Sequence, residues 1–254
     1  MRIASWNVNS LKVRLPQVEQ WLQTAQPDIL GLQELKLSDE MYPDQALQAL
    51  GYHSAWSGQK TYNGVALISR QLPSEVVKDI PGFDDPQRRV VAATYGDLRV
   101  INLYVVNGQS VGSDKYAYKL AWLAALRDWL SEEIRRYPKL VVIGDFNVAP
   151  ADLDVHDPKA WANDVLCSPA ERAALQALLA LGLHDSFRHQ RPDLQSFSWW
   201  DYRLQGFRRN RGLRIDLVLI SDALLPRLSD TGIDREPRGW ERPSDHTPVW
   251  AELA

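Results

Sequence analysis

Short apolar runs rich in β-branched and aromatic residues recur along the chain, separated by turn residues, and this pattern predicts many β-strands. They are too numerous for one small sheet. Gly96 and Asp97 leave only a tight turn between two of them, which predicts an antiparallel hairpin and argues against a purely parallel sheet. The predicted strands are RIASWNV (2–8), ILGLQE (29–34), YHSAW (52–56), GVALIS (64–69), RRVVAATY (88–95), LRVINLYVV (98–106), LVVIGD (140–145), LRIDLVLI (213–220) and PVWAEL (248–253).

Apolar positions three and four residues apart predict amphipathic helices between the strands. The clearest helix covers residues 114–136, with an apolar face of Tyr116, Leu120, Leu123, Leu126, Leu130 and Ile134. A second helix is expected to begin after Arg14. A third is expected after Ser168, because Ser168 suits the N-cap, Pro169 the first helical position and Glu171 a capping box. Two mixed sheets packed face to face, with helices outside, would bury these strands better than one open sheet.

Length and composition fit one compact domain covering residues 1–254, since 45% of the residues are hydrophobic. Cys167 is the only cysteine, which excludes an internal disulfide and a Cys-rich zinc site and fits a reducing compartment. No segment resembles an export leader, and no apolar stretch approaches the roughly 18 residues of a membrane helix. We therefore expect a cytoplasmic protein without membrane contact. The net charge of -3 means that nucleic-acid binding would need a local basic patch.

Polar residues follow several predicted strands directly. In LVVIGDFNVAP (140–150) a buried strand ends in Asp145 and Asn147, and Pro150 cannot continue the ladder. Taken alone, this pair also fits a turn in which both side chains bond their own backbone. Other strand ends carry similar groups, however, and carboxylates, amides, one His and one Tyr together suit a hard cation and a phosphate ester. The candidates are Asn7, Glu34, Tyr104, Asp145, Asn147, Asp216, Asp245 and His246.

Seven motifs in order along the chain carry a family resemblance. They are WNVNS (6–10), LQELK (32–36), INLYVVNG (101–108), GDFNVAP (144–150), FSWWDYR (197–203), NRGLRIDLVL (210–219) and PSDHTPVW (243–250). Together they resemble the exonuclease III family of abasic-site endonucleases, and the likeness runs from the first strand to the end of the chain. It implies a four-layered α/β sandwich of the DNase I-like type, with two packed mixed β-sheets flanked by helices. It also implies a metal-dependent phosphodiesterase site at one end of the sandwich.

The resemblance implies a site for Mg²⁺, with Mn²⁺ as the alternative ion. Glu34 is expected to be the principal ligand, with Asn7 close to it, since Mg²⁺ takes one or two carboxylates and keeps several waters. Asn9 stands where some relatives carry Asp, so both one and two metal ions remain open. The further ligand candidates are Asp145, Asn147, Asp245 and His246.

The resemblance also assigns catalytic roles. Asp145 is expected to orient or deprotonate the attacking water, and Asn147 to donate a hydrogen bond to the phosphate. His246 is either the general base or, when protonated, a cation that stabilises the transition state, while Asp216 would orient its ring and raise its pKa. Tyr104 is expected to hydrogen-bond the phosphate or the leaving oxygen, and an ordinary half-buried strand tyrosine is the alternative.

Segment 199–214 carries five arginines among aromatic residues and could supply the local basic patch. A solvated charged loop is the alternative, but Trp and Phe gain nothing from exposure. The resemblance implies that Trp199 and Leu213 are walls of an apolar pocket for a flipped-out sugar without its base. The other candidates for DNA contact are Lys12, Arg14, Tyr62, Arg88 or Arg89, Asn107, Arg203, Arg208, Arg209 and Arg211.

The sequence therefore predicts a magnesium-dependent DNA repair phosphodiesterase that incises 5′ of an abasic site and leaves a 3′-hydroxyl. Exonuclease activity in the 3′ to 5′ direction and 3′-phosphatase activity are expected beside it. The partner would be double-stranded DNA with an abasic site or a blocked 3′ end, and the protein is expected to be a monomer. Two alternatives remain, a phosphoesterase acting on inositol phosphates or lipids and a non-catalytic nucleic-acid-binding regulator on the same fold.

Overall fold

The computed structural model describes residues 1–254 and contains two six-stranded mixed sheets. In spatial order, the first sheet contains β13 (Leu228–Ile233), β14 (Val249–Leu253), β1 (Arg2–Asn7), β2 (Ile29–Gln33), β4 (Val65–Ser69) and β3 (His53–Ser57). The second contains β5 (Ser74–Lys78), β6 (Val90–Tyr95), β7 (Leu98–Tyr104), β8 (Leu140–Asp145), β12 (Asp216–Ser221) and β9 (Leu183–Asp185). A small separate ribbon pairs β10 (Trp199–Trp200) with β11 (Gly212–Leu213).

Helices cover the outer faces of both sheets. They are α1 (Leu11–Ala25), α2 (Asp44–Ala49), α3 (Asp114–Arg136) and α4 (Pro169–Leu179). The short helix α5 (Ser186–Gln190) instead contacts β12 and β13, which belong to different sheets. One apolar cluster joins α1 and α2 to the first sheet, another joins α3 and α4 to the second, and a third fills the space between the sheets. The predicted four-layered sandwich of the DNase I-like type is therefore confirmed. None of the helices is both long enough and apolar enough to cross a membrane.

Local sequence signals place two of the helices where they were predicted. Helix α3 covers residues 114–136, and the side chain of Ser113 caps it by accepting a hydrogen bond from the Tyr116 amide. Helix α4 begins after Ser168, which forms the expected capping box with Glu171. The turn at Gly96 and Asp97 joins antiparallel β6 and β7, as the hairpin prediction required.

The predicted start of α1 after Arg14 is wrong, because the helix begins at Leu11 and contains Pro16. Its entry is held by hydrogen bonds from the backbone amides of Ser10 and Leu11 to the carbonyls of Glu34 (2.8 Å) and Leu35 (3.0 Å). Tertiary bonds thus satisfy amides that a helix start otherwise leaves without partners. A sequence reading cannot see these bonds, which also tie α1 to the loop after β2.

Three strands of the two large sheets were not predicted, and each lies at a sheet edge; the short ribbon of β10 and β11 was not predicted either. Strand β5 is largely exposed, β9 has only three residues, and β13 mixes polar and apolar positions. Edge strands lack the continuous apolar run that marks a strand covered on both faces. The nine predicted strands are the eight interior strands of the two sheets and the edge strand β3.

A polar contact crosses the apolar space between the two sheets. Gln33 donates a hydrogen bond to the Asn102 side chain (2.7 Å), and Asn102 donates to the carbonyls of Leu32 (2.9 Å) and Ala66 (2.8 Å). All of these side chains are buried. The bridge ties the C-terminal half of β2 to the middle of β7, and therefore sets how the two sheets align near the candidate site.

Candidate active site

Three neighbouring strands of the second sheet bring Tyr104, Asp145 and Asp216 side by side. Tyr104 is the register partner of Asp145 in the parallel pair β7–β8, and Asp216 is its partner in the antiparallel pair β8–β12. Gly144 permits this approach, because a Cβ built there would lie only 1.9 Å from the carbonyl oxygen of Leu103. The Gly-Asp step thus reflects close strand packing beneath the carboxylate.

The first sheet supplies Asn7 at the end of β1 and Glu34 directly after β2. These two strands are parallel neighbours, so their C-terminal ends meet at the same edge. Glu34 adopts a left-handed backbone with φ 53°, which turns the chain immediately after the strand. The Lys36 ammonium lies 3.0 Å from Glu34 Oε2 and 2.5 Å from Asn9 Oδ1.

Asn7 links the two sheets at the site. Its Nδ2 donates to Glu34 Oε1 (2.9 Å) and to Asp145 Oδ2 (2.9 Å). Its Oδ1 accepts a hydrogen bond from the Asn9 amide (3.0 Å), so the nitrogen of Asn7, rather than its oxygen, faces the carboxylates. Ligand atoms of Glu34, Asp145 and His246 all lie within 4.8 Å of one another, an arrangement that could hold a metal ion.

His246 is buried between two carboxylates. Its Nδ1 lies 2.8 Å from Asp216 Oδ2, and its Nε2 lies 3.6 Å from Asp145 Oδ2. Asp216 in turn accepts a hydrogen bond from the Ser198 hydroxyl (2.6 Å). Burial acts to lower the pKa of His246, but the negative charges of Asp216 and Asp145 outweigh it and raise the pKa to about 10. The two carboxylates therefore favour the protonated form of the ring.

The other two titratable groups at the centre are also shifted. Burial raises the pKa of Asp145 to about 7, against the opposing effect of the His246 imidazolium. Burial and the charges of Glu34 and Asp145 hold the pKa of Tyr104 well above its ordinary value, so its phenol stays protonated. The site thus combines a carboxylate that can accept a proton with a phenol that can donate a hydrogen bond.

Two ligand candidates lie outside this cluster. Asn147 donates its amide nitrogen to the carbonyl of Val105 (2.9 Å), although its backbone amide donates to Asp145 Oδ1 (2.9 Å). Asp245 accepts hydrogen bonds from Asn9 Nδ2 (3.0 Å) and Trp199 Nε1 (3.0 Å). Both residues border the cluster. Asp245 does not belong to the group of acidic and histidine side chains whose ligand atoms converge, and the side-chain nitrogen of Asn147 is already donated to Val105.

Some of the basic candidates are already bound to other groups of the protein, and others are not. Arg14 is occupied, since its guanidinium donates to the backbone carbonyls of Asn9, Arg242 and Pro243. Arg88 pairs with Asp79, and Arg203 pairs with Asp201. Among the candidates, the exposed basic residues without a hydrogen-bonded side-chain partner are Lys12, Arg208, Arg209 and Arg211.

A polar cleft of about 750 Å³ opens on one side of the cluster. Arg89 lies at its base, donates to the Tyr104 carbonyl (3.1 Å) and places its guanidinium 4.7 Å from the centre of the Tyr104 ring. The cleft also brings together two of the weaker candidates, Tyr62 and Asn107, with Lys115, which the sequence reasoning missed. Asn107 reaches the loop after β8, because its Nδ2 lies 3.4 Å from Asn147 Oδ1.

An aromatic cavity of about 700 Å³ opens on the other side. Trp199 lines it as expected, but Leu213 is 0% exposed and packs in the apolar cluster beneath, so it does not form an open wall. Trp161 packs edge-on against Trp199 with ring centres 6.5 Å apart, and His156 packs on Trp161 at 6.4 Å. Trp161 and His156 were missed because their segment shows no strand or helix periodicity.

Comparison with known proteins decides the family. Residues 4–246 match the Endonuclease/Exonuclease/phosphatase family. The chain belongs to this family. It is 40% identical to exodeoxyribonuclease III of Haemophilus influenzae over the full length of both chains. The recognised likeness to exonuclease III-type enzymes is therefore confirmed.

Solved structures of this family superpose on the whole chain. A 3′ phosphatase, NExo from Neisseria, bound to a product DNA hairpin, shares 52% identity with a TM-score of 0.99, covering 100% of this chain and 99% of that one. An AP endonuclease from Archaeoglobus fulgidus shares 36% identity with a TM-score of 0.96, with the same coverage. This member of the Endonuclease/Exonuclease/phosphatase family is thus a hydrolase, of the DNA repair nuclease type.

Proposed function

We propose that this nuclease hydrolyses the bond between phosphorus and the 3′ oxygen of DNA, with Mg²⁺ as cofactor. Incision 5′ of an abasic site, removal of a 3′-terminal nucleotide and removal of a 3′-phosphate all break this bond and leave a 3′-hydroxyl. The observation that carries the proposal is the convergence of Glu34, Asp145 and His246 within 4.8 Å at one end of the two sheets.

The donor set fits a hard cation. Glu34 and Asp145 offer carboxylate oxygens, and Mg²⁺ needs only one or two of these because it retains waters. Mg²⁺ prefers oxygen ligands, whereas His246 and Asn7 present nitrogen atoms to the cluster, so we assign neither as a ligand. Bound there, Mg²⁺ would supply Lewis-acid polarisation of the phosphoryl oxygen and stabilise the leaving oxyanion.

The remaining catalytic roles fall to side chains of the protein. We assign Asp145 to orient the attacking water and accept its proton, because its buried carboxylate lies at the centre of the cluster, with Glu34 and His246 beside it. The His246 imidazolium, held by Asp216, faces Asp145 and would stabilise negative charge on the phosphate in the transition state. Tyr104 would donate a hydrogen bond to a phosphate or leaving oxygen, and so would the side-chain amides of Asn107 and Asn147 after a change of partner.

Substrate binding would use the surfaces on both sides of the cluster. The exposed arginines of segment 203–211 suit phosphate contacts, which provide affinity without sequence information. The polar cleft with Tyr62 and Arg89 would hold the DNA strand on the other side. The aromatic cavity at Trp161 and Trp199 would take the residue that leaves the helix, because base–aromatic stacking contributes roughly 1–3 kcal/mol per base.

A specific observation favours 3′-end processing as the second candidate for the main activity. Leu213, expected to be an open wall for a baseless sugar, is sealed beneath the cavity. What remains accessible is aromatic, which suits a nucleotide that keeps its base. The same catalytic cluster would serve abasic-site incision and 3′-end processing. The two activities would then differ in the group that this cavity has to accommodate.

The test is incubation of the protein with duplex DNA that contains one abasic analogue, and with duplexes that end in a 3′-phosphate, with Mg²⁺ or with chelator. We expect Mg²⁺-dependent products ending in a 3′-hydroxyl. Asp145→Asn and Asp216→Asn should each lower kcat by at least the roughly 10² to 10⁴ that proton transfer contributes. Asp222→Asn is the matched control, since Asp222 pairs with His184 on the surface away from the cluster.

The same assay separates the competing functions. Intact duplex together with cleavage of inositol phosphates would favour a phosphoesterase acting on other substrates. Binding of DNA without cleavage under any metal condition would favour a non-catalytic regulator. Near-normal turnover of Asp145→Asn would remove this residue from the mechanism.

A further inference from the structure

A fully buried ammonium lies directly behind the catalytic strands. Lys119 in the second turn of α3 has a side chain that is 0% exposed, and its partner Glu171 is also 0% exposed. Besides Glu171, the Lys119 Nζ donates to the carbonyl oxygens of Asn147 (2.6 Å) and Asn107 (3.1 Å). All three of its hydrogens therefore have an acceptor.

The carboxylate of Glu171 is equally well satisfied. It accepts hydrogen bonds from the Leu166 amide (3.0 Å), the Ser168 amide (3.1 Å) and the Ser168 hydroxyl (2.5 Å), in addition to Lys119. These donors belong to the N-terminus of α4, whose capping box Glu171 completes. A carboxylate with this many donors stays in one position, and it holds the ammonium in one position too.

The two carbonyls that the ammonium holds belong to the loops that carry the phosphate-binding candidates. Asn107 lies three residues beyond β7, and Asn147 lies two residues beyond β8. Asn147 adopts a left-handed backbone with φ 48°, a conformation that asparagine tolerates better than most side-chain-bearing residues. In that conformation its backbone amide donates to Asp145 Oδ1 (2.9 Å). A continuous chain of contacts thus runs from Glu171 through Lys119 and Asn147 to Asp145.

We propose that Lys119 is a positioning residue of this nuclease, which fixes the loops after β7 and β8 through the carbonyls of Asn107 and Asn147 and so orients Asp145. The proposal rests on the roles proposed above for Asp145 and Asn147. Without the ammonium, two buried carbonyls lose a charge-assisted hydrogen bond, and the left-handed turn at Asn147 loses the contact that holds it. The Asp145 carboxylate then loses a fixed donor.

The protein contains a matched control for this pair. Arg99 and Glu133 form a second buried ion pair, with side chains 1% and 8% exposed, which joins the same helix α3 to β7, the strand that precedes the Asn107 loop. Arg99 also donates to the Glu75 carbonyl (2.7 Å) and to Thr94 Oγ1 (3.1 Å). This pair lies at the beginning of β7, at the end opposite Tyr104, so its loss should affect stability without affecting the site.

The experiment compares Lys119→Met with Arg99→Met. Both should lower the melting temperature, because each leaves an unpaired buried carboxylate. Only Lys119→Met should lower kcat, by roughly 10- to 100-fold with KM for DNA within about threefold, since a misplacement of 1 Å in a reacting group can cost on the order of 10²-fold. Equal losses of kcat in the two variants would overturn the proposal.

A double variant keeps the test valid if Lys119→Met folds poorly. Lys119→Met combined with Glu171→Gln removes both charges and should recover part of the lost stability. Its kcat should stay as low as that of the single variant, because no group holds the carbonyls of Asn107 and Asn147. Recovery of kcat together with stability would show that the pair is only structural and would sink the proposal.

Hydrogen exchange gives a readout that does not depend on DNA cleavage. Amides in residues 145–149 and 105–109 should exchange faster in Lys119→Met than in the unmodified protein, and Arg99→Met should leave them unchanged. Unchanged exchange in Lys119→Met would contradict the anchoring role. If the unmodified protein does not cleave DNA but Lys119→Met still loosens these loops, the proposed function fails and the anchoring stands.

Discussion

Gly31 offers a direct test of how closely the two sheets must approach to form the site. It lies in the middle of β2, and a Cβ placed on it would lie 2.7 Å from Ile143 Cδ1 and 2.8 Å from Asn102 Cγ. The Ile143 methyl could rotate away, but Asn102 is held by hydrogen bonds to Gln33, Leu32 and Ala66. Gly31→Ala therefore has to separate the sheets or break this polar bridge.

The expected change in the free energy of unfolding has two opposing contributions. Overpacking of a tight core costs roughly 1–3 kcal/mol, and replacing a strand glycine by alanine returns about 0.5–1 kcal/mol. A net loss of about 1–2 kcal/mol should lower the melting temperature by roughly 2–8 °C in a protein of this size. Because Gly31 is three residues before Glu34, we also expect kcat to fall about tenfold, since small displacements of reacting groups are costly.

Thermal unfolding and Mg²⁺-dependent cleavage of abasic duplex, measured on the same preparations, provide the assay. Gly239→Ala is the control, because a Cβ there meets nothing within 4 Å. Gly31→Ala combined with Ile143→Val should cost less than the sum of the two single changes, since the shorter side chain removes one of the clashes. An unchanged melting temperature would refute the steric reasoning, and a lowered one with full kcat would refute the link between sheet spacing and the site.

Further expectations concern the residues around the cluster. Ser198→Ala should destabilise the fold by about 1–3 kcal/mol, because Asp216 loses a buried donor, and chemical denaturation measures this. Replacing Arg208, Arg209 and Arg211 by Gln should lower the salt dependence of DNA binding by about 0.9 in slope for each arginine that contacts a phosphate; anisotropy titrations at several salt concentrations would show an unchanged slope if none does. Trp161→Ala should raise KM by roughly 5- to 150-fold for a substrate that stacks there, because a stacked base contributes roughly 1–3 kcal/mol. Equal KM values for the variant and the unmodified protein on all duplexes would exclude the cavity from binding.

The fold was largely predictable because its central strands are buried on both faces. Such strands appear in sequence as continuous apolar runs, and the caps at Ser113 and Ser168 are local signals that need no tertiary information. The exposed strand β5 and the start of α1 depend on pairing with distant segments, so they carry no local pattern. The strand ends likewise marked Asn7, Glu34 and Asp145, because polar residues there interrupt apolar runs.

The partners of these side chains could not be predicted from the sequence. No sequence pattern indicates that Asn7 turns its nitrogen toward Glu34 and Asp145, or that the Arg14 guanidinium donates hydrogen bonds to three backbone carbonyls. Leu213 follows the expected motif, yet packing around it closes the wall that it was expected to form. These outcomes depend on which groups meet across the sheets and loops, and that information is distributed over the whole chain.

Both buried ion pairs of α3 lie where a loop or strand end has to be held without access to water. Arg99 ties the helix to the beginning of β7, and Lys119 ties it to the loops that follow β7 and β8. A buried pair contributes little net stability compared with apolar residues of the same volume, because desolvation offsets the attraction. Apolar residues in place of both Lys119 and Glu171 could stabilise the helix contact equally well, but they could not donate hydrogen bonds to two carbonyls. The charge at this position is therefore better explained by the geometry it imposes on Asn147 and Asp145 than by stability.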